Sequence, residues 1–179
     1  TASCMIVLGD HVGTHIDSLR HIRETAGGPE AIPIDYCYGD GVVLDFRHLP
    51  LGAGISVDDV KTALTKIQYT LKPLDIVLIH TGAGQLQDSE KYLTDQVGMT
   101  GESTEWMLDQ GIKVMGIDAI TFDPPIWAMF ERKKFWEAHR VMAHREYYHL
   151  ENMTNFHLLP PHGFKLSVFP VKWGNTTAA

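Results

Sequence analysis

Cysteine is scarce in this chain of 179 residues: Cys4 and Cys37 are the only two, far apart and without C-x-x-C spacing. Neither a disulfide framework nor a zinc knuckle is encoded, and free thiols fit a reducing compartment, the cytoplasm by default. Positive charge is also short. Fifteen Lys and Arg stand against 22 Asp and Glu, a formal charge of −7 with no basic block. That excludes a surface prepared for nucleic acid or for an anionic membrane. Apolar runs such as IVLI before His80 fall far below the ~20 residues of a membrane span. Internal repeats, low-complexity tracts and linkers are absent too. The expected partners are a small-molecule substrate and further copies of the chain.

What the chain does have is 44% hydrophobic residues, enough for one well-buried core and a single domain over 1–179. Short β-branched apolar runs alternate with amphipathic stretches, the pattern of an α/β domain with a mixed β-sheet and flanking helices. Strands are predicted over 41–46, 74–82, 112–119, 146–152 and 164–173. Ser56 with Asp59 three residues on is an N-terminal capping pattern, and Val60, Ala63, Leu64 and Ile67 follow at helical spacing. This helix is expected to reach Leu71, since Lys72 precedes a proline and avoids helical angles. A second helix over 102–110 stops at Gly111, and a third covers much of 131–145. Residues 24–33 and the pairs Pro124-Pro125 and Pro160-Pro161 mark loops.

The chemistry concentrates in HVGTHIDSLRH, residues 11–21, with three histidines and an aspartate. An extended strand puts His11, His15 and Asp17 on one face but separates the two histidines by ~13 Å, too far for one ion. A regular helix makes His11 and His15 neighbours and turns Asp17 away. Only a bent segment converges all three, with Gly13 in angles that other residues resist and Thr14 hydrogen-bonding backbone to hold the bend. Two imidazoles and a carboxylate with open positions suit catalytic zinc or manganese better than calcium or a structural zinc. The other reading is a polar surface loop into which several of the ten histidines fall, and spacing alone leaves both open.

The segment resembles the signature H-x-G-T-H-x-D-x-P-x-H of the metal-dependent hydrolases called the cyclase family, which includes bacterial kynurenine formamidases and isatin hydrolases. Every defined position matches except one: Leu19 stands where the pattern has proline, so the loop exit is expected to be less rigid. Downstream, HRVMAHREYYHLEN is similar to the family's later histidine and glutamate, at His139 and Glu151. GIDAITFD is similar to a G-x-D-x-x-S-x-D segment, with Thr121 at the serine. LIHTG and FKLSVFPVKW resemble two of its strands. The resemblance implies a swivelling β/α/β fold and a divalent metal, zinc or manganese, as one or two ions per subunit. It implies that His11, His15 and Asp17 hold a first ion, and that Asp17 bridges to a second held by His139 and Glu151. His144 and His149 match His139 in type, and only the alignment to the family motif, with His139 twelve residues before Glu151, favours His139. The resemblance further implies a homodimer or higher homo-oligomer. Family members carry an extra segment before the signature, so the chain is expected to be shortened at its beginning, and its start without an initiator methionine and its end in KWGNTTAA lead us to expect natural residues beyond both ends of 1–179.

These readings point to a metal-dependent amidohydrolase acting on C–N bonds other than peptide bonds, with a small amide, formamide or cyclic amide as substrate. His21 is the candidate proton shuttle and Glu151 a ligand or a base. The alternatives are a non-catalytic metal-binding oligomer and a cyclase or lyase acting on a dicarbonyl substrate. His80 is expected to be a satisfied buried histidine. The four tryptophans belong to the core or line an aromatic pocket, and DPPIWAMF (123–130) is a pocket wall or a subunit interface.

Overall fold

Val42, Val43 and Leu44, and Ile76 to Ile79, are unbroken apolar runs, the composition of strands buried on both faces. In a computed structural model, which describes residues 2–179, they lie in the middle of a six-stranded mixed sheet. The strands of that sheet are β1 (His15–Asp17), β2 (Tyr38–Asp45), β4 (Ile76–His80), β6 (Val114–Ile117), β7 (Tyr148–Glu151) and β8 (Phe164–Ser167). They run in the order β1-β7-β6-β4-β2-β8, the inner four mutually parallel and the two edge strands antiparallel. A two-residue pair, β3 (Gly54–Ile55) with β5 (Gly98–Met99), forms a separate small sheet. The helices are α1 (Val57–Lys66), α2 (Gly101–Asp109), α3 (Ile126–Arg132) and α4 (Glu137–Val141).

The sheet separates two apolar layers. Val42, Leu44, Val77, Ile79, Met115 and Ile117 face α1, α2 and α4 in the main core. Ile16, Ile76, Val114, Tyr148 and Leu150 form the second layer. Each such side chain contributes on the order of 1.5–3 kcal/mol. The free edge of β1 is covered by the carboxyl-terminal residues: Ile16 and Ala179 exchange N–H···O bonds of 2.8 and 3.2 Å, and Ser18 N–H donates to Thr177 O.

Three predicted elements differ from what forms. Helix α1 has the expected Ser56/Asp59 capping box but ends at Lys66 rather than Leu71, because Gln68 takes a left-handed φ of 53°. The single helix over 131–145 is two short helices, broken by left-handed Lys133 and Trp136, both at φ 54°. The break lets the start of α4 meet Asp123, whose carboxylate accepts from the N–H groups of Ala138 and His139. The last strand stops at Ser167, short of 173. The expected strands otherwise form within a few residues of their predicted bounds, while β1 was missed inside the histidine-rich segment.

Candidate metal centre

Gly13 has φ +72° and turns the chain between His11 and His15. The turn brings their ring nitrogens, His11 Nδ1 and His15 Nε2, to 3.1 Å. The bend is the expected one, and Thr14 does hydrogen-bond backbone, though across to Asn152 O at 2.8 Å rather than locally. Beyond it the chain enters β1, where His15 and Asp17 share a face and Ile16 points into the opposite apolar layer. A 3-10 turn, Leu19–His21, then carries His21 back, its Nε2 3.7 Å from Asp17 Oδ2 and its ring centroid 4.4 Å from that of His11. Leu19 does not distort this exit. Ser18 keeps the extended φ −91°, ψ 166° that a following proline requires. The Leu19 side chain packs against both apolar layers.

Strand β7 completes the cluster from the other side. It pairs antiparallel with β1 in the register His15↔Glu151, Ile16↔Leu150, Asp17↔His149, so four polar side chains meet on one face. His139 arrives from α4. Around the Asp17 carboxylate, Oδ1 lies 3.0 Å from His11 Nδ1 and 3.2 Å from His15 Nε2. Oδ2 lies 3.3 Å from His149 Nε2 and 3.6 Å from His139 Nε2. Glu151 Oε1 stands 3.4 Å from both of the latter nitrogens.

These contacts are not hydrogen bonds. Both Asp17 oxygens and both His149 nitrogens are buried without a hydrogen-bond partner among the described residues, a costly state unless something else satisfies them. The protons of the other rings are committed elsewhere. His15 Nδ1 donates to Gly13 O at 2.9 Å, and His139 Nδ1 to Asp123 Oδ2 at 2.5 Å. The Asp10 carboxylate takes the Thr177 hydroxyl proton, so Thr177 Oγ1 accepts from His11 Nε2 at 2.8 Å. When these rings are neutral, His11 Nδ1, His15 Nε2 and His139 Nε2 present lone pairs toward carboxylate lone pairs, an arrangement that a cation at the centre or protonation of the rings relieves. Ligand atoms of a tetrahedral zinc with bonds of ~2.1 Å sit about 3.4 Å apart, which the 3.0–3.6 Å separations around Asp17 bracket. The donor set thus fits a divalent metal, with a hydrogen bond holding each of His11, His15 and His139 as metal-binding histidines are usually held.

The electrostatics agree. Burial opposes charge on His139, yet the Asp123 and Asp17 carboxylates outweigh it and push its pKa up to about 10. His15 and His149 are raised against burial in the same way by Asp17 and Glu151. Partial burial lowers the pKa of His21, and the neighbouring histidines add to this against the pull of Asp17. The cluster attracts cations, while His21, with its side chain 34% exposed, is held neutral at its mouth.

All six sequence candidates converge here: His11, His15, Asp17, His21, His139 and Glu151. His149 does too, although the alignment to the family motif favours His139 in its place. The signal that would have found it is the alternation His-Leu-Glu at 149–151, which mirrors His-Ile-Asp at 15–17. His144 lies outside, exposed and 2.9 Å from Glu105. The 118–123 segment supports the site instead of entering it: Asp123 holds His139, and the Phe122 N–H holds Glu151 Oε1 at 2.7 Å. Thr121 Oγ1 is buried without a partner among the described residues. His80 is buried as expected, but its Nε2 stands 3.8 Å from Asp118, beyond hydrogen-bond reach, because Thr81 and Gly82 occupy that carboxylate. None of the four tryptophans is fully buried. Trp136 approaches the cluster, its ring 5.4 Å from His139. The DPPIWAMF stretch forms α3 and leaves Ile126, Trp127 and Phe130 exposed.

Residues 3–124 match the sequence profile of the family described as "Putative cyclase". A kynurenine formamidase of Erythrobacter litoralis (strain HTCC2594) is 25% identical over 167 residues, 93% of this chain and 68% of that protein. The fold is shared with an isatin hydrolase solved with the product analogue thioisatinate, at TM-score 0.82 and 21% identity over 97% of this chain and 70% of that one. It is shared also with isatin hydrolase A from Labrenzia aggregata, solved with benzyl benzoate, at TM-score 0.78 and 20% identity over 96% and 71%.

Proposed function

The chain belongs to the cyclase family, and from that premise we propose that it is a metal-dependent hydrolase of a small amide, formamide or cyclic amide. The observation that carries this reading is the Asp17 carboxylate, buried and without a hydrogen-bond partner among the described residues, with imidazole nitrogens gathered around both of its oxygens. His11, His15 and Asp17 would hold one zinc or manganese ion, and Asp17, His139 and Glu151 a second. A divalent ion at such a site supplies Lewis acidity, polarising a carbonyl and bringing the pKa of water toward ~7.

The protein's own groups supply the rest. His21 is neutral and reachable from solvent, so it accepts a proton from the attacking water and returns it to the departing nitrogen. Asp123, Gly13 O and Thr177 orient the ligating imidazoles. Glu151 is a ligand in this reading, because the Phe122 N–H fixes its carboxylate beside His139 and His149. Trp136 at the rim provides an aromatic surface. The related kynurenine formamidase and isatin hydrolases direct the choice of substrates to test: N-formyl aromatic amines, isatin-like lactams and lactones, each with added zinc or manganese. Asp17→Ala is expected to abolish both metal binding and turnover; full hydrolysis by a metal-free Asp17→Ala protein refutes the reading. Metal retained with no hydrolysis of any of these compounds favours a non-catalytic metal-binding protein. A homo-oligomer is part of the proposal, supported by the exposed apolar side chains of Met5, Ile6, Val7 and Leu8 and of Ile126 and Phe130.

A further inference from the structure

The two halves of the centre are unequal. On the Oδ1 side of Asp17 gather His11, 31% exposed, and His15, with Glu151 Oε2 3.7 Å from His15 Nε2 and the exposed His21 beside His11. On the Oδ2 side four buried residues meet, Asp17, His139, His149 and Glu151, with the more exposed His21 Nε2 3.7 Å from Oδ2 at the mouth. We propose that His149 completes a closed four-ligand zinc site with Asp17, His139 and Glu151, so that the inner ion is resident and only the outer one is open to substrate. The inference rests on the metal dependence proposed above and adds a ligand and a division of labour to it.

His149 is wholly inaccessible, and neither ring nitrogen has a hydrogen-bond partner among the described residues. A buried imidazole serving only as packing would have one. Its ring is clamped by Phe122, stacked at 4.7 Å and 5°. That clamp holds Nε2 at 3.3 Å from Asp17 Oδ2 and 3.4 Å from Glu151 Oε1. His139 Nε2 stands at 3.6 and 3.4 Å from the same two oxygens. These separations match the edges of a tetrahedron with zinc-length bonds, about 3.4 Å. Two imidazoles and two carboxylates in that shape suit zinc; manganese favours six oxygen-rich positions, some filled by water, and the inner pocket is closed to solvent. Four protein ligands are the signature of a site that holds its ion, and three with an opening that of a site that works on substrate.

The test is zinc release from the chain 1–179 into a chromogenic chelator, with metal content measured before and after. Wild type is expected to carry two ions and release them in a fast and a slow phase. His149→Ala should lose the slow phase and keep the fast one, and His11→Ala should do the reverse. A single ion in wild type, or a slow phase that survives His149→Ala, overturns the proposal and marks His149 as a buried imidazolium paired with carboxylates. If His149→Ala does not fold, the wild-type protein decides: cobalt in the slowly released position should give the intense visible absorption of a tetrahedral ion, and a weak octahedral spectrum overturns the closed site. Hydrolysis is scored separately. Biphasic release with no turnover counts against the proposed reaction alone, whereas turnover with one-phase release counts against this inference alone.

Discussion

Replacing Asp123 by asparagine should loosen the metal centre from behind without touching a ligand. The Asp123 carboxylate is fully buried and accepts three hydrogen bonds, Oδ1 from Ala138 N–H at 2.8 Å and Oδ2 from His139 N–H at 3.1 Å and from His139 Nδ1 at 2.5 Å. An asparagine in the same rotamer can accept on one side only. Its best orientation keeps the oxygen toward His139 and turns the NH2 against the Ala138 N–H, leaving that buried donor unpaired at about 1–3 kcal/mol. The two bonds to His139 lose their charge assistance, roughly another 1 kcal/mol in sum. A net loss of about 2–4 kcal/mol corresponds to a fall in Tm of roughly 5–15 °C for a domain of this size. Zinc affinity should drop by about 10- to 100-fold, as for other residues that orient a ligating histidine. Thermal unfolding of the metal-free protein and chelator competition read the two effects independently. A variant with unchanged Tm and unchanged zinc affinity would show that His139 is held by its packing and that the carboxylate is dispensable.

Three further outcomes follow from separate features. Gly13→Ala places a Cβ in open space, with nothing within 4 Å, at φ +72°, so urea unfolding should show only the backbone penalty of about 1–2 kcal/mol; a loss above ~4 kcal/mol would mean that the bend is sterically closed. Burial pushes the Tyr92 pKa up to about 12, and its hydroxyl donates to Asn152 Oδ1 at 2.6 Å. Between pH 10 and 12 the unfolded chain therefore loses a proton that the folded chain keeps, and stability should fall with rising pH by roughly 2–3 kcal/mol at most. Tyr92→Phe should make that limb shallower in pH-dependent denaturant melts, the buried Tyr147 and Tyr148 supplying the remainder, and an unchanged slope excludes Tyr92 as a source. Because histidines bind metal only when neutral, chelator-resistant zinc should be lost on acidification toward pH 5, measured as metal content after dialysis; retention there would contradict histidine ligation.

The sequence revealed those features whose cause is local. β4 could be read because Ile76 to Ile79 are apolar without alternation, and α1 began where Ser56 and Asp59 said it would. Its end was hidden because Gln68, not a glycine, takes the left-handed turn. The split between α3 and α4 was hidden because its cause, the Asp123 carboxylate, lies some fifteen residues upstream and acts through space. Leu19 looked like a defect in the signature. In three dimensions its neighbour Ser18 retains a proline-compatible conformation, and the leucine replaces ring rigidity with apolar packing on two layers.

The site itself shows where a one-dimensional reading stops. His11, His15 and Asp17 were recognisable as a group because one bend gathers them, whereas His149 becomes a neighbour of Asp17 only through the pairing of β1 with β7. That pairing sets two polar-apolar-polar triplets face to face, with His15 opposite Glu151 and Asp17 opposite His149. The hydrophobic layer enforces the register. A slip of one residue in each strand would turn Ile16 and Leu150 into the cluster and drive two carboxylates and two imidazoles into the apolar layer beneath. Burial of Ile16 and Leu150 therefore does for the metal centre what no ligand does for itself: it makes the donor-rich face of two short strands the only face available.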